Sequence, residues 1–285
     1  MTDVSRIGVV GCGLMGSGIA EVSARAGLSV TVAETTLTAV KSGRARVSAS
    51  LSRAVASGKL SETDAHQALS RVVFTTDLGD FADRQLVVEA VAEDEVLKLA
   101  VFSTLDKVVE DRDAILASNT SAIPIMKLAM ATSRPENVLG IHFFNPVPVL
   151  KLVELVPSLL TSPEVAARCE SLLTDVLAKQ VIRAQDRAGF VVNALLVPYL
   201  LSAVRMLESG FASADDIDTG MVLGCAHPMG PLRLLDLIGL DTTRAIAESL
   251  YEEFKEPLYS APPLLQRMVE AGLMGKKRGR GFYEY

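Results

Sequence analysis

The sequence predicts an α/β chain: a doubly wound parallel sheet first, then an all-helical C-terminal region. Three observations carry this reading. Short β-branched runs alternate with segments of helical period as far as residue 183. A strand, a glycine turn, a helix and a second strand open the chain as one βαβ unit. After Asp186 the helical period continues with few strand candidates. The change of character puts the boundary within residues 184–189 and the domains at 1–185 and 186–285.

The elements follow in order. Arg6-Ile7-Gly8-Val9-Val10 is a β-branched run that ends in a glycine turn. Apolar residues then recur at helical spacing through Ile19, Val22 and Ala26, and Gly27 stands in the position of a helix C-cap. Ser29-Val30-Thr31-Val32-Ala33 is the second strand. Residues 37–69 read as helix, broken at Gly58 and restarted by an N-cap at Ser61. Strands are expected at 71–74, 86–89, 114–117 and 138–141, with a helix at 96–109. Runs at 152–156 and 180–183 extend the sheet. Helices are expected at 190–209, 215–223, 240–253 and 263–271, with breaks at Gly210, His227–Pro231 and Ala261–Pro263. No internal repeat is present.

Composition narrows the function classes. A chain of 285 residues, 49% of them apolar, has material for two ordinary domains. The net charge of −6 argues against nucleic acid as a partner. No apolar stretch reaches the roughly 18 residues of a membrane span, and the N-terminal apolar run is too short for a signal-peptide core. Cys12, Cys169 and Cys225 are odd in number and scattered, which fits neither a disulfide framework nor a metal site. A reducing cytoplasm is the simplest compartment. Residues 35–60 contain no acid but hold Lys41, Arg44, Arg46, Arg53 and Lys59. Such a segment in an acidic chain reads as a seat for an anionic ligand or as a solvated helix face.

The glycine turn carries the first chemical signal. Gly11, Cys12, Gly13, Leu14, Met15 and Gly16 form a G-x-G-x-x-G turn between a strand and a helix, the Rossmann fingerprint for a dinucleotide. The first glycine permits the turn, the second lets a pyrophosphate approach the backbone, and the third lets helix and strand pack closely. The phosphates then face a helix N-terminus. Glu34 follows the second strand, 18 residues after Gly16, where a carboxylate accepts hydrogen bonds from the adenosine ribose. That carboxylate repels a 2′-phosphate, and Thr35 and Thr36 beside it offer no arginine to receive one. The cofactor reading is therefore NAD. The plain alternative is a structural glycine turn with a surface acid.

The proton carrier is sought among three histidines. His66 lies in a polar helical stretch and His227 in a Pro/Gly turn. His142 follows the strand at 138–141, and ligands of open α/β sheets bind beyond the carboxyl ends of strands. An imidazole exchanges a proton near neutrality, as oxidation of a secondary alcohol requires. Glu154 lies 12 residues on, in a strand after a Pro-rich turn, and a carboxylate returning beside the imidazole would orient it. A structural histidine is the other reading of the same residues. Ser118-Asn119-Thr120-Ser121 ends another strand; it reads as a binder of substrate or nicotinamide, or as a helix N-cap.

Several of these segments, taken together, resemble one family. Asn119-Thr120-Ser121, His142-Phe143-Phe144-Asn145-Pro146-Val147-Pro148, Lys151-Leu152-Val153-Glu154, Gly189-Phe190-Val191-Val192-Asn193, the run His227–Pro231 and Gly281-Phe282-Tyr283 look like the L-3-hydroxyacyl-CoA dehydrogenases, in order and over essentially the whole chain. The resemblance implies an NAD-dependent oxidoreductase acting on acyl-CoA. His142 would be the catalytic base, oriented by Glu154, with Ser121 and Asn193 positioning the reacting end of the substrate. Glu93 and Lys98 would contact the cofactor, and Asn145 and Lys277 the nicotinamide side. Ser50, Arg53 and Lys59 would meet coenzyme A, whose phosphates suit the basic segment. Substrate would lie between the domains, and the helical domain would dimerise. The sequence departs from the family at three places: Cys12 stands for a smaller residue and invites oxidation, Ala188 stands for a proline, and Arg278 for a threonine. The competing functions are a dehydrogenase of free 3-hydroxyacids, a non-enzymatic NAD-binding protein, and a coenzyme A-binding protein without redox chemistry.

Overall fold

The computed structural model describes residues 4–285; Met1 to Asp3, with which the N-terminal reading begins, lie outside the described residues. The chain forms two compact units, Met1–Asp186 and Arg187–Tyr285.

The first unit is an eight-stranded sheet covered by helices. Its strands are β1 (Arg6–Val10), β2 (Ser29–Ala33), β3 (Val72–Thr75), β4 (Leu86–Glu89), β5 (Ile115–Ser118), β6 (Val138–Phe143), β7 (Leu152–Pro157) and β8 (Gln180–Arg183). They lie in the order β3-β2-β1-β4-β5-β6-β7-β8. The first six are parallel and give the 3-2-1-4-5-6 order of a dinucleotide fold, whose switch point falls between β1 and β4. β4, β5 and β6 are buried along their whole length, which is why each reads as a continuous apolar run and not as an alternation.

Local signals set the helices. α1 (Leu14–Arg25) starts at the glycine turn, and Gly27, at φ +91°, reverses the chain after it. α2 (Leu37–Ala56) is capped by the Thr36 hydroxyl, which accepts from Ala39 N. Gly58 takes φ +69°, and α3 (Glu62–Ser70) restarts under the Ser61 cap. Asp94 caps α4 (Glu95–Val108) in the same way.

The structure corrects the sequence reading in two respects. β6 continues to Phe143, so His142 lies inside the strand and not after it. β7 returns antiparallel to β6 and pairs His142 with Glu154 and Phe143 with Val153, which extends the ladder. The connection from 144 to 151 has no room for a crossover helix, so the return had to be antiparallel. Three helices were not read: α5 (Ile125–Ala129) and α6 (Pro163–Ser171) in this unit, and one at 231–238 in the second. α6 carried a signal in Ser162-Pro163, a capping hydroxyl followed by proline at the first helical position.

The second unit is all helix: α7 (Val192–Glu208), α8 (Ala214–Cys225), α9 (Pro231–Ile238), α10 (Leu240–Phe254) and α11 (Pro263–Glu270). The break read at His227–Pro231 ends in a helix, because Pro231 opens α9. Leu200, Leu232, Leu235, Leu250 and Leu265 are fully buried at its centre. Two buried acids fasten its ends. Asp218 accepts from Leu232 N and Arg233 N at 2.8 and 3.0 Å, capping α9. Asp236 accepts from Phe282 N and Tyr283 N at 2.9 Å each, tying down the C-terminal tail. Among the described residues no helix is long and apolar enough to cross a membrane.

Candidate active site

The glycine turn is built for close approach. Gly11 takes φ +87°, and a Cβ there would stand 2.8 Å from Ala90 O. A Cβ at Gly16 would overlap Gly11 O, so helix and strand could not pack. At Gly13, by contrast, a Cβ would meet no protein atom within 4 Å. Gly13 is also the N-cap of α1 and supplies no side-chain cap. The helix therefore presents its first N–H groups to open space, which suits a pyrophosphate. Glu34 Oε1 accepts from Cys12 N at 2.6 Å, which fixes the carboxylate beside the turn. Gly11, Gly13, Glu34, Leu78, Val91 and Leu97 line a cavity of about 460 Å³ with mostly apolar walls and one acid. A nucleoside with an unmodified ribose fits that donor set.

Cys12 is not the oxidation-prone thiol that the sequence suggested. It is fully buried. Burial first, then the Glu34 carboxylate, push its pKa up to about 12, against a smaller opposing pull from Arg46. The reactive thiolate is thereby suppressed. Its bulk is taken up by α2, where Gly43 faces it: a Cβ on Gly43 would stand 2.7 Å from Cys12 Cβ.

His142 and Glu154 meet across the antiparallel β6–β7 pair. His142 Nδ1 lies 2.6 Å from Glu154 Oε2. Glu154 is fully buried and His142 is 7% exposed. The Phe144 ring sits 4.6 Å from the imidazole centroid. Cross-strand register, which the sequence spacing only hinted at, is what brings the two side chains together.

The ends of β4 and β5 form a polar network beside this pair, buried at Glu89, Lys98, Ser118 and Thr120 and open at Glu93. Lys98 Nζ lies 2.6 Å from Glu89 Oε1 and 3.3 Å from Glu93 Oε2. Glu89 Oε2 accepts from Ser118 Oγ at 2.6 Å. Glu93 Oε1 accepts from Thr120 Oγ1 at 2.5 Å and from Ser121 N at 2.9 Å. Asn119 Oδ1 accepts from Phe143 N at 2.9 Å and so joins the β5 end to the strand of His142. Ser121 is half-buried, and its hydroxyl makes no hydrogen bond among the described residues. Lys98 is 1% exposed, so its ammonium acts on Glu93 and Glu89 from beneath. The sequence reading missed Glu89 and the bridging part of Asn119. A carboxylate closing the apolar run Leu86-Val87-Val88 was the available signal for Glu89; nothing local marked Asn119 as a bridge.

A second cavity, of about 520 Å³, runs between α1, α2 and the loop after β6. Ser50, Arg53, Arg46 and Asn145 line it. Lys59 is exposed beyond the C-terminus of α2 and is not among the lining residues. The remaining two site residues belong to the second unit. Asn193 sits in the first turn of α7. Lys277 Nζ is paired with Asp241, at 2.5 and 2.7 Å from its two carboxylate oxygens. Ala188, standing for a proline, donates its N–H to Glu253 Oε2 at 2.6 Å, a bond no proline makes. His227 Nδ1 lies 3.2 Å from the Tyr199 hydroxyl, and His66 is exposed on α3.

Known proteins resemble the chain over its whole length. The model of the 3-hydroxyacyl-CoA dehydrogenase NAD-binding domain matches residues 6–187, and that of the 3-hydroxyacyl-CoA dehydrogenase C-terminal domain matches 189–285. A 3-hydroxybutyryl-CoA dehydrogenase of Mycobacterium tuberculosis is 62% identical, with 99% of each chain covered. Human mitochondrial hydroxyacyl-coenzyme A dehydrogenase is 41% identical over 99% of this chain and 91% of its own. Among solved structures, (S)-3-hydroxybutyryl-CoA dehydrogenase from Ralstonia eutropha superposes with a TM-score of 0.94 at 44% identity, covering 99% of both chains. The crystal structure of FadB2 from M. tuberculosis gives a TM-score of 0.98 at 62% identity, again covering 99% of both chains. The first unit is thus an NAD-binding Rossmann domain, and the chain belongs to the 3-hydroxyacyl-CoA dehydrogenase family.

Proposed function

We propose that this chain interconverts (S)-3-hydroxyacyl-CoA and 3-oxoacyl-CoA with NAD as hydride carrier, and that 3-hydroxybutyryl-CoA is its substrate. The observation that carries the mechanism is the 2.6 Å contact between His142 Nδ1 and a fully buried Glu154. With Nδ1 engaged, proton exchange with the 3-hydroxyl falls to Nε2. In the oxidative direction the hydroxyl proton passes to Nε2 while C3 loses its hydrogen with the bonding electron pair, and the C–O bond becomes a carbonyl. Bound NAD supplies the acceptor for that hydride. Glu154 holds the imidazole in the right tautomer and offsets the charge of the imidazolium. Within the first unit the open hydroxyl of Ser121 orients the reacting end of the substrate; Asn193 of the second unit keeps the substrate role that the family resemblance implies. Glu93 and Asn145 hold the nicotinamide side, with Lys98 beneath Glu93; Lys277 of the second unit keeps the cofactor role that the family resemblance implies. Ser50 and Arg53 receive coenzyme A in the groove along α2, with Lys59 at its outer end.

In the same reading, the first unit holds the cofactor and the second holds substrate and forms a homodimer. Leu195, Phe211 and Leu223 of the second unit are 73–80% exposed, which is the apolar surface a symmetric partner would cover. A cytoplasmic location accords with three free thiols.

The test is NADH oxidation with acetoacetyl-CoA, run alongside free acetoacetate and longer 3-oxoacyl-CoA thioesters. Turnover with acetoacetyl-CoA at least as fast as with any longer thioester is expected. Turnover of the free acid at the thioester's rate would favour a 3-hydroxyacid dehydrogenase. NADH binding without turnover of any of them would favour a non-catalytic NAD-binding protein, and absence of saturable NADH binding a plain coenzyme A binder. Light scattering at micromolar concentration checks the dimer.

A further inference from the structure

One buried cation has no part in the chemistry above. Lys179 stands just before β8 and is 8% exposed. Its ammonium donates to Val147 O at 2.5 Å and to Leu150 O at 2.8 Å. The Phe143 ring lies 6.0 Å from Nζ. Burial first, and then the charge of Arg25, push its pKa down, so keeping the proton here is costly. The two carbonyls repay that cost only if they stay aimed at the ammonium.

Both carbonyls belong to the loop between β6 and β7. Val149 N and Leu150 N both return to Pro146 O, at 3.0 and 2.9 Å, which makes one tight turn. Val147 is 1% exposed and packs on α1 at Gly18, where a Cβ would come within 2.8 Å of it. Gln180 N donates to Lys151 O at 2.9 Å, bringing the start of β8 to the end of the loop. Beside the buried Val147, Lys179 ties the Val147 and Leu150 carbonyls to the start of β8. The same loop, through Asn145, Pro146, Val147 and Pro148, forms one wall of the groove that Ser50 and Arg53 line on the other side. It also begins with Phe144, whose ring lies 4.6 Å from the imidazole centroid.

We propose that Lys179 is a positioning residue for the acyl-CoA substrate: by holding the Val147 and Leu150 carbonyls it sets the wall that loop 144–151 presents to the groove. It touches no reacting atom. The proposal rests on the reading of that groove as the acyl-CoA seat. It assigns the side chain a part in substrate affinity that a lysine serving the fold alone does not have.

Kinetics with Lys179→Met, Lys179→Gln and Arg53→Ala test it, together with NADH titration by fluorescence. Lys179→Met keeps an unbranched apolar stem and removes all donors. It should raise KM for acetoacetyl-CoA about tenfold, which is about 1.4 kcal/mol of lost substrate binding, while Kd for NADH stays within about twofold. The amide of Lys179→Gln retains two N–H donors and should recover part of the loss. An equal change in NADH and acetoacetyl-CoA affinity, or a fall in Tm with both unchanged, would reduce Lys179 to a fold residue. Should Lys179→Met not accumulate, the same split is read in Lys179→Gln, and failure of both to fold also overturns the proposal. Arg53→Ala reports on the groove independently. If it leaves KM for acetoacetyl-CoA unchanged, the seat has been misassigned, whatever the lysine variants do.

Discussion

Buried acids serve opposite ends in the two units. In the first, Glu154 faces the imidazole of His142 and Glu89 faces the ammonium of Lys98, each at 2.6 Å. In the second, Asp218 and Asp236 face main-chain N–H groups and tyrosine hydroxyls. Burial does not separate the two sets: Glu154 and Glu89 are 0% exposed, Asp218 4% and Asp236 1%. The partner separates them. A carboxylate satisfied by fixed N–H donors is a fastening, and its removal should be read in stability. A carboxylate against the proton carrier, as Glu154 is, orients it and offsets its charge, and its removal should be read in turnover.

The first way to break this contrast is at the pair. His142→Ala should lower kcat for acetoacetyl-CoA reduction by about 10³–10⁴, since a positioned proton carrier contributes on that order. Glu154→Gln keeps the shape but cannot offset an imidazolium, and should lower kcat by about 10²–10³. Tm measured for both proteins should change far less than for a fastening variant. Wild-type turnover in His142→Ala would end the mechanism.

The second is at the fastening. Asp236→Ala leaves the N–H groups of Phe282 and Tyr283 without their acceptor, and opens a hole beside Gly281, where even a Cβ would overlap the carboxylate. Unsatisfied buried donors cost about 1–3 kcal/mol each, so equilibrium unfolding in urea should show a loss of about 2–4 kcal/mol. The kcat of the folded fraction should fall far less than in His142→Ala. A catalytic loss as large as that of His142→Ala, with stability intact, would erase the distinction between the two sets.

The sequence spoke to these two sets unevenly, and the reason is physical. The glycine turn, the cap at Ser61 and the stop at Gly58 are local features in which neighbouring residues settle the backbone, so they were legible. The His142–Glu154 contact depends on register between two strands. Spacing made it conceivable, and the family resemblance made it specific. The network of Glu89, Asn119 and Phe143 joins three strand ends far apart in sequence, and no local pattern encodes it. Asp218 and Asp236 were not singled out for the same reason: each serves backbone groups from 14 to 47 residues away. The short α5 was lost because five residues carry too little periodicity to read.

A smaller effect is expected at Ala188. The family resemblance made this alanine a loosened position, but its N–H is in use, donated to Glu253 at 2.6 Å. Ala188→Pro removes that bond and leaves Glu253 with the Arg187 guanidinium. Loss of one charge-assisted bond, set against the entropy that proline removes from the unfolded chain, should cost about 1 kcal/mol in urea unfolding. Stabilisation by the substitution would mean that the bond contributes little and that backbone stiffness decides there.

The smallest effect is a pH dependence that the two units share. Cys12 and Cys169 of the first unit are pushed from 9.0 up to about 12, mainly by burial. In the second unit burial and Asp236 push Tyr285 from 10.0 up to about 12. All three hold their protons more tightly folded than unfolded, so their contribution to stability is complete below the unfolded pKa and is lost as pH rises toward 12. Tm should therefore hold steady to about pH 9 and then decline, with Cys12→Ala and Tyr285→Phe each making the decline shallower. Thiol labelling gives an independent reading. A thiol with a pKa near 12 is thiolate in only about one part in ten thousand at pH 8, so Cys12 and Cys169 should stay unmodified while exposed Cys225 reacts. Rapid labelling of Cys12 in the native protein at pH 8 would mean that the glycine turn opens away from α2. Protection of Cys12 by NADH would then report cofactor binding at the turn without any turnover.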